Sequence, residues 1–361
     1  MLSPTSVWNQ RLPGDVPIDP DSATYVATIA GGINNLNLLY RNTSIPIFWA
    51  SETTPRQQVW VDVKDGTRAK LKAALASVPI PQNFRPPGPF PGDNACCICC
   101  RKADGSVEYF EFAGMRQVAV DGARSAGEVP ECSTLNEPGW HCITAAAVLD
   151  LNKSPGYVTA EDWPGGVDVG GSGNLTWGCS GSRTLLYPHT IKVAEAQRLY
   201  IPHALRLALP KTLHRSDFRW PAIASDGTSV DPTRPPTGAI LTFDDEDVFS
   251  DVPDPLMKAV CRAIRDFGWI ITDSSSTEGV NATLKCETQA TVAGSQAWGT
   301  DAWKGPEDKL GSPGALLREG NEGTPSNETA LLGNQIPLAR LRVVDASYRP
   351  ASVAPGMLGK G

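Results

Sequence analysis

Four histidines, His141, His189, His203 and His214, are the chain's only imidazoles, and no HxH or HExxH pair joins any two. A histidine-built catalytic metal site is therefore not expected. His203 sits in YIPHALRLALP, where a period of two puts Ile201, His203, Leu205, Leu207 and Leu209 on one face and Pro202, Ala204, Arg206 and Ala208 on the other. A catalytic His203 would exchange protons with a sugar hydroxyl near neutral pH. The expected role is the plainer one, a strand histidine amid Leu and Ile that donates to a buried carboxylate such as Asp226.

Carboxylates are plentiful: Glu108 and Glu111 in VEYFEF, Asp150 in VLDL, Asp162 and Asp168 in a Gly-rich stretch, Asp226 in SDG, Asp244 and Asp245 in TFDDED, and Asp273 in ITDSS. Glycoside hydrolysis needs two of them across a cleft, about 5 Å apart or roughly 6.5 to 9.5 Å apart. The catalytic candidates are Asp226, His203, Asp150 and Glu111. Each alone is more often a turn acceptor, and Asp226 before Gly227 is what a β-turn uses anyway. GCSGS offers Ser180 and Ser182 without a placed base. GGVDVGGSGNLTWG has the glycines of a phosphate loop but neither the lysine nor the following helix, so no cofactor is expected.

Several of the ten tryptophans stand beside Gly or Pro, as in PGWH, DWPGG and TWGC. An indole face next to carboxylates and amides suits a sugar ring, whose C–H face packs on the aromatic while its hydroxyls bond to polar neighbours. Trp140, Trp163 and Trp177, with Asp168, are the ligand-binding candidates. Any single tryptophan is more often a core residue.

Nine cysteines, an odd number, cannot all pair within one chain. In CCICC a strand places Cys97 and Cys99 on one face and Cys96, Ile98 and Cys100 on the other, which suits small buried thiols. The CxxC…CxxC spacing of zinc sites is missing.

The element pattern follows from breakers and periodicity. With 34 Gly and 31 Pro, the chain has little room for long helices, and a mainly β class is expected. Short helices are expected over Asp21 to Gly32, Arg68 to Val78, Ile191 to Leu199 and DPLMKAVCRAIRDFG, whose Leu256, Val260, Ile264 and Phe267 form one stripe beside Cys261. IPIFWA, QQVWVDVK, AILTFDD, WIITDSS and IPLARLRVVDA read as strands, and ACCICCRK and SVEYFEF as a hairpin about a DG turn. Residues 79 to 94, rich in proline, read as a loop or arm. The expected organisation is a β domain over 1–278 and an extension over 279–361, a small lobe or assembly arm. Net charge is −7 with no basic run, so a nucleic-acid footprint is missing. No apolar run reaches the roughly 18 residues of a membrane span, and MLSPTSVWNQRLPGD lacks the basic and apolar regions of a signal peptide.

The ordered landmarks SPTSVWNQRLPGDVPIDPDSATYVATI, IPIFWA, VEYFEF, TWGCSGSRTLL, IPHALRLALP, WPAIASDG and FGWIITDSS resemble those of exported actinobacterial β-sandwich proteins and of tail-associated proteins from phages of those bacteria. The resemblance spans roughly residues 3 to 275. It implies an antiparallel β-sandwich, jelly-roll or concanavalin-like, with a few short helices and a C-terminal extension. It also implies a cell-envelope or virion setting, with the missing leader favouring the phage branch. Three functions are expected from this: a glycan-recognising minor tail component for host attachment, a glycoside hydrolase or lyase on cell-wall polysaccharide, or a purely structural tail protein. The partners implied are surface polysaccharide and other tail or envelope proteins, with homo-oligomerisation left open.

Overall fold

The computed structural model describes residues 2–4, 6–33, 35–39, 45–61, 69–82, 84, 95–118, 138–148, 150–153, 178–210, 217–275, 281–287, 329–330 and 334–350. These are mainly β, with a few short helices and open sheets. The helices are α1 (Ser22–Gly32), α2 (Ala69–Leu75), α3 (Val193–Arg198) and α4 (Pro255–Phe267). In chain order the strands are β1 (Asn35–Leu39), β2 (Ile47–Ser51), β3 (Arg56–Gln57), β4 (Val59–Val61), β5 (Val78–Pro79), β6 (Ala95–Arg101), β7 (Val107–Ala113) and β8 (Arg116–Val118). There follow β9 (Gly139–Cys142), β10 (Thr144–Val148), β11 (Leu205–Pro210), β12 (Ile240–Thr242), β13 (Trp269–Ser275), β14 (Asn281–Lys285), β15 (Thr329–Ala330) and β16 (Arg342–Val343).

A large sheet runs β15-β1-β14-β11-β13-β12-β16, and a smaller one β10-β7-β6-β2. Both are mixed, which corrects the antiparallel expectation: β1 with β14, β11 with β13 and β2 with β6 are parallel pairs. Parallel strands are covered on both faces, and every residue of β11 is buried. Leu205, Leu207 and Leu209 do line one face of it, against Val260, Ile264 and Trp269. His203 does not share that stripe, because β11 begins two residues after it.

Between the sheets one core draws on both: Cys97, Cys99, Tyr109 and Ala146 from the small sheet, Ile240 and Ile270 from the large one, and fully buried Trp8. The outer face of the large sheet is covered by α1, α3 and α4. The outer face of the small sheet, with Cys96, Ile98, Phe110 and Phe112, is covered by α2 and by β4 and β9. The two faces of CCICC thus fill two different cores, and none of the eight described cysteines forms a disulfide. Cys132 lies outside the described residues, as does most of the proline-rich stretch.

Local chemistry explains the clearest elements. Asp254 accepts from the backbone N–H of Leu256 and Met257 at 2.9 and 3.0 Å and so caps α4, with Pro255 at its first position. Gly268, at φ 95°, ends α4 and reverses the chain directly into β13. The β6–β7 hairpin turns at Gly105, also at positive φ. IPLARLRVVDA, by contrast, is a 3-10 turn over Leu338–Arg340 followed by the two residues of β16, since Pro337 and the turn leave little strand length.

The strands after residue 279 belong to the large sheet. β14 lies between β1 and β11, and β16 pairs with β12 while Val344 bridges to Ile18. A chain ending at residue 278 would leave β1 without β14 and β15, and β11 with β13 alone. Such a truncation is expected to lose cooperative thermal unfolding by circular dichroism; a fragment that melts cooperatively would contradict the pairing of β14.

Candidate functional site

His203 is buried and turned toward α3. Its Nδ1–H donates to the Ala204 carbonyl at 2.8 Å, and its Nε2 faces Glu195 Oε2 at 3.0 Å and Lys192 Nζ at 3.3 Å. The carboxylate that holds it is therefore Glu195, not Asp226. Lys192 and Glu195 meet because they lie three residues apart at the start of α3, where Glu195 also accepts the Lys192 backbone N–H at 2.9 Å. Burial pulls Lys192 below its usual value against the pull of Glu195 and Glu287. For Glu195, burial acts to raise the pKa, but Lys192 and His203 prevail and bring it to about 2. This is a satisfied, half-buried polar cluster beside Tyr187, whose ring lies 4.7 Å from Lys192 Nζ.

Glu111 and Asp150 also act as acceptors of local hydrogen bonds. Fully buried Glu111 on β7 accepts from the N–H of Leu186 at 2.6 Å, from the N–H of Cys179 and from the hydroxyl of Tyr109. Burial raises its pKa against those three donors. Asp150 accepts from the N–H groups of Val107 and Asn152 and pairs with Lys153 at 3.3 Å, a turn that ties β10 to the hairpin. Trp140, only 8% exposed, is set edge-on to Phe84 in the core below the small sheet and offers no ring face to solvent. Trp163, Asp168 and Trp177 lie outside the described residues.

Asp226 finds a different partner. Across β11 and β13 the register shifts after Leu207, so that Leu207 faces Ile271 and Ala208 faces Asp273. Thr272 is the extra residue of this bulge, a device that re-aims the side chains beside it. Asp273 Oδ2 thereby reaches Arg206 Nη2 at 2.7 Å, with Arg206 only 2% exposed. The carboxyl of Asp226, fixed by the Ser274 N–H at 3.0 and 3.1 Å, stands beside that of Asp273. Gly181 seals the pair, donating its N–H to Asp273 Oδ1 at 3.2 Å, and a Cβ there would lie 2.4 Å from the Asp226 carboxyl carbon. Burial and the charge of Asp226 raise Asp273 to about 6, against the opposing pull of Arg206.

Among the described residues the exposed indole is Trp49, 44% accessible near the end of edge strand β2. In the β2–β6 register Trp49 is opposite Cys99 and Ser51 opposite Arg101, which makes Arg101 its diagonal neighbour. The Arg101 guanidinium carbon stands 5.2 Å from the centre of the indole. Together with Ser51, Glu52, Thr53 and Lys102 they line an open groove of about 610 Å³. Inward, Tyr187 meets Trp49 edge-on at 6.5 Å. The candidates chosen from sequence did not include Trp49. The signal was its place beside the polar turn SETTP, where a strand leaves the sheet.

No protein-family model, curated protein or solved structure matches this chain. Among the described residues no group of side chains is placed to hold a metal ion, and no helix is long and apolar enough to cross a membrane.

The two acid clusters have opposite pH signatures. Asp273, at about 6, lies above its ordinary value of 3.8, so the folded chain holds its proton longer than the unfolded one. Its contribution is complete below about pH 4 and is lost as pH rises through about 6. Glu195 is depressed to about 2 from 4.5, so its contribution holds above its ordinary range and is lost as pH falls through about 2. Melting curves should show Asp273→Asn flattening the loss of stability between about pH 4 and 7, and Glu195→Gln lowering the Tm at pH 7 but hardly at pH 2. Parallel pH profiles for wild type and both variants would contradict these assignments.

Proposed function

We propose that this protein recognises a glycan of a cell envelope through the Trp49 groove, as a virion-exposed minor tail component or an envelope protein. The single observation that carries this is an indole left open to solvent among hydroxyl, carboxylate and cationic side chains. A sugar ring needs an apolar plate for its C–H face and polar groups around the rim, and this groove supplies both. The tail or envelope setting comes from the resemblance of the sequence landmarks, and the parallel pairs in both sheets set this fold apart from an antiparallel jelly roll. The core common to both sheets supports a sandwich.

Cleavage of wall polysaccharide is the alternative reading, and it would need a carboxyl pair at hydrolytic spacing. Asp273 is instead tied to buried Arg206 and Asp226 to the Ser274 N–H, internal bonds that favour a structural role for both. Recognition is therefore preferred to hydrolysis.

Sedimentation with insoluble cell-wall polysaccharide tests it. Wild type should co-sediment, and Trp49→Ala should weaken retention about tenfold with unchanged melting, the scale of a lost aromatic contact. Absence of wild-type retention would refute recognition, and full retention of Trp49→Ala would remove this groove from it.

A further inference from the structure

We propose that the saccharide taken by the Trp49 groove is acidic, bearing a carboxylate or phosphate, and that Arg101 is the residue that reads the acid. This rests on the glycan reading of the groove and goes beyond it by naming the ligand's charge.

The chain as a whole carries a net charge of −7, so an acidic polymer is repelled unless a local cation receives it. Most of the arginines described already hold carboxylates: Arg56 with Glu108, Arg206 with Asp273, Arg219 with Asp19, Arg265 with Glu246 and Asp266. Exposed Arg101 makes no such pair among the described residues; its contact is the ring of Trp49. That contact leaves the guanidinium fork free while restraining it, and a restrained planar fork loses little entropy on taking a carboxylate or phosphate in two parallel hydrogen bonds.

Its neighbours complete the local charge. Lys102 stands 4.0 Å from Glu108, whose Oε2 is held by Arg56 at 2.5 Å, so the ammonium is only weakly engaged. Glu52 is the one carboxylate lining the groove, set against two cations. The hydroxyl of Ser51 lies 3.0 Å from that of Thr53, two groups suited to sugar hydroxyls. A ring stacked on Trp49 brings an acid substituent within reach of Arg101, because the guanidinium and the indole are already in contact.

The test measures binding isotherms against phosphomannan and its dephosphorylated mannan, and against polygalacturonate and its methyl ester. Wild type is expected to bind at least one acidic polymer about tenfold more tightly than its neutral counterpart, with that preference shrinking as salt is added. Phosphomannan alone would identify phosphate, and polygalacturonate alone carboxylate. Arg101→Gln should abolish the preference and leave binding to the neutral polymer, while Arg101→Lys keeps part of it. Equal wild-type affinity for acidic and neutral polymers, or an undiminished preference in Arg101→Gln, would overturn the acidic reading while the glycan reading stands. Failure of wild type to bind any of the four would overturn both.

Discussion

The two sheets are held in one arrangement by a carboxylate that has no contact with water. Glu111 projects from β7 into the space between the sheets, where Leu186, Cys179 and Tyr109 all donate to it. Two of those donors are backbone groups of the segment 178–190, so the carboxylate fixes a length of irregular chain that would otherwise bury unpaired N–H groups. The same segment is tied to the large sheet, through Ser182 N–H to the Thr272 carbonyl at 2.8 Å and through Gly181 to Asp273. It is a strap with one sheet at each end. A buried acceptor bonded three times over is costly to remove, since each donor it leaves is orphaned.

Much of what looked chemical in the primary structure is this kind of internal polar bonding. Glu195, Lys192 and His203 bond to one another beside Tyr187, and Asp150 closes a turn. The bulge at Thr272 draws Asp273 to buried Arg206 and to Asp226. Ionisable groups inside a core are stable only in such company, so a titratable residue in an apolar stretch is a weak indicator of catalysis. The groove at the sheet margin differs in kind. There a large apolar ring and a guanidinium remain open to solvent although buried space lies one residue away.

Local interactions made part of the fold legible. The β6–β7 hairpin, α4 with its Asp254 cap and buried stripe, and the two faces of CCICC follow from turn residues, capping and periodicity within a dozen positions. His203 is buried and bonded to the Ala204 carbonyl. Its carboxylate partner is not legible in the sequence, because Glu195 and Asp226 are equally plausible acceptors until the chain path is known. The order of strands was not legible either. Nothing local says that β14 inserts between β1 and β11, since its pairing with β1 closes over more than two hundred residues.

The sequence by itself thus determined a mainly β chain with a few short helices, thiols that fill cores and an acidic net charge with no basic run, because those depend on residue type and near neighbours. Tertiary structure alone decided which carboxylates meet and which tryptophan faces water. Both depend on how distant strands are laid side by side: Asp226 and Asp273 meet across a loop and a bulge, and Trp49 is exposed because β2 falls at the edge of its sheet.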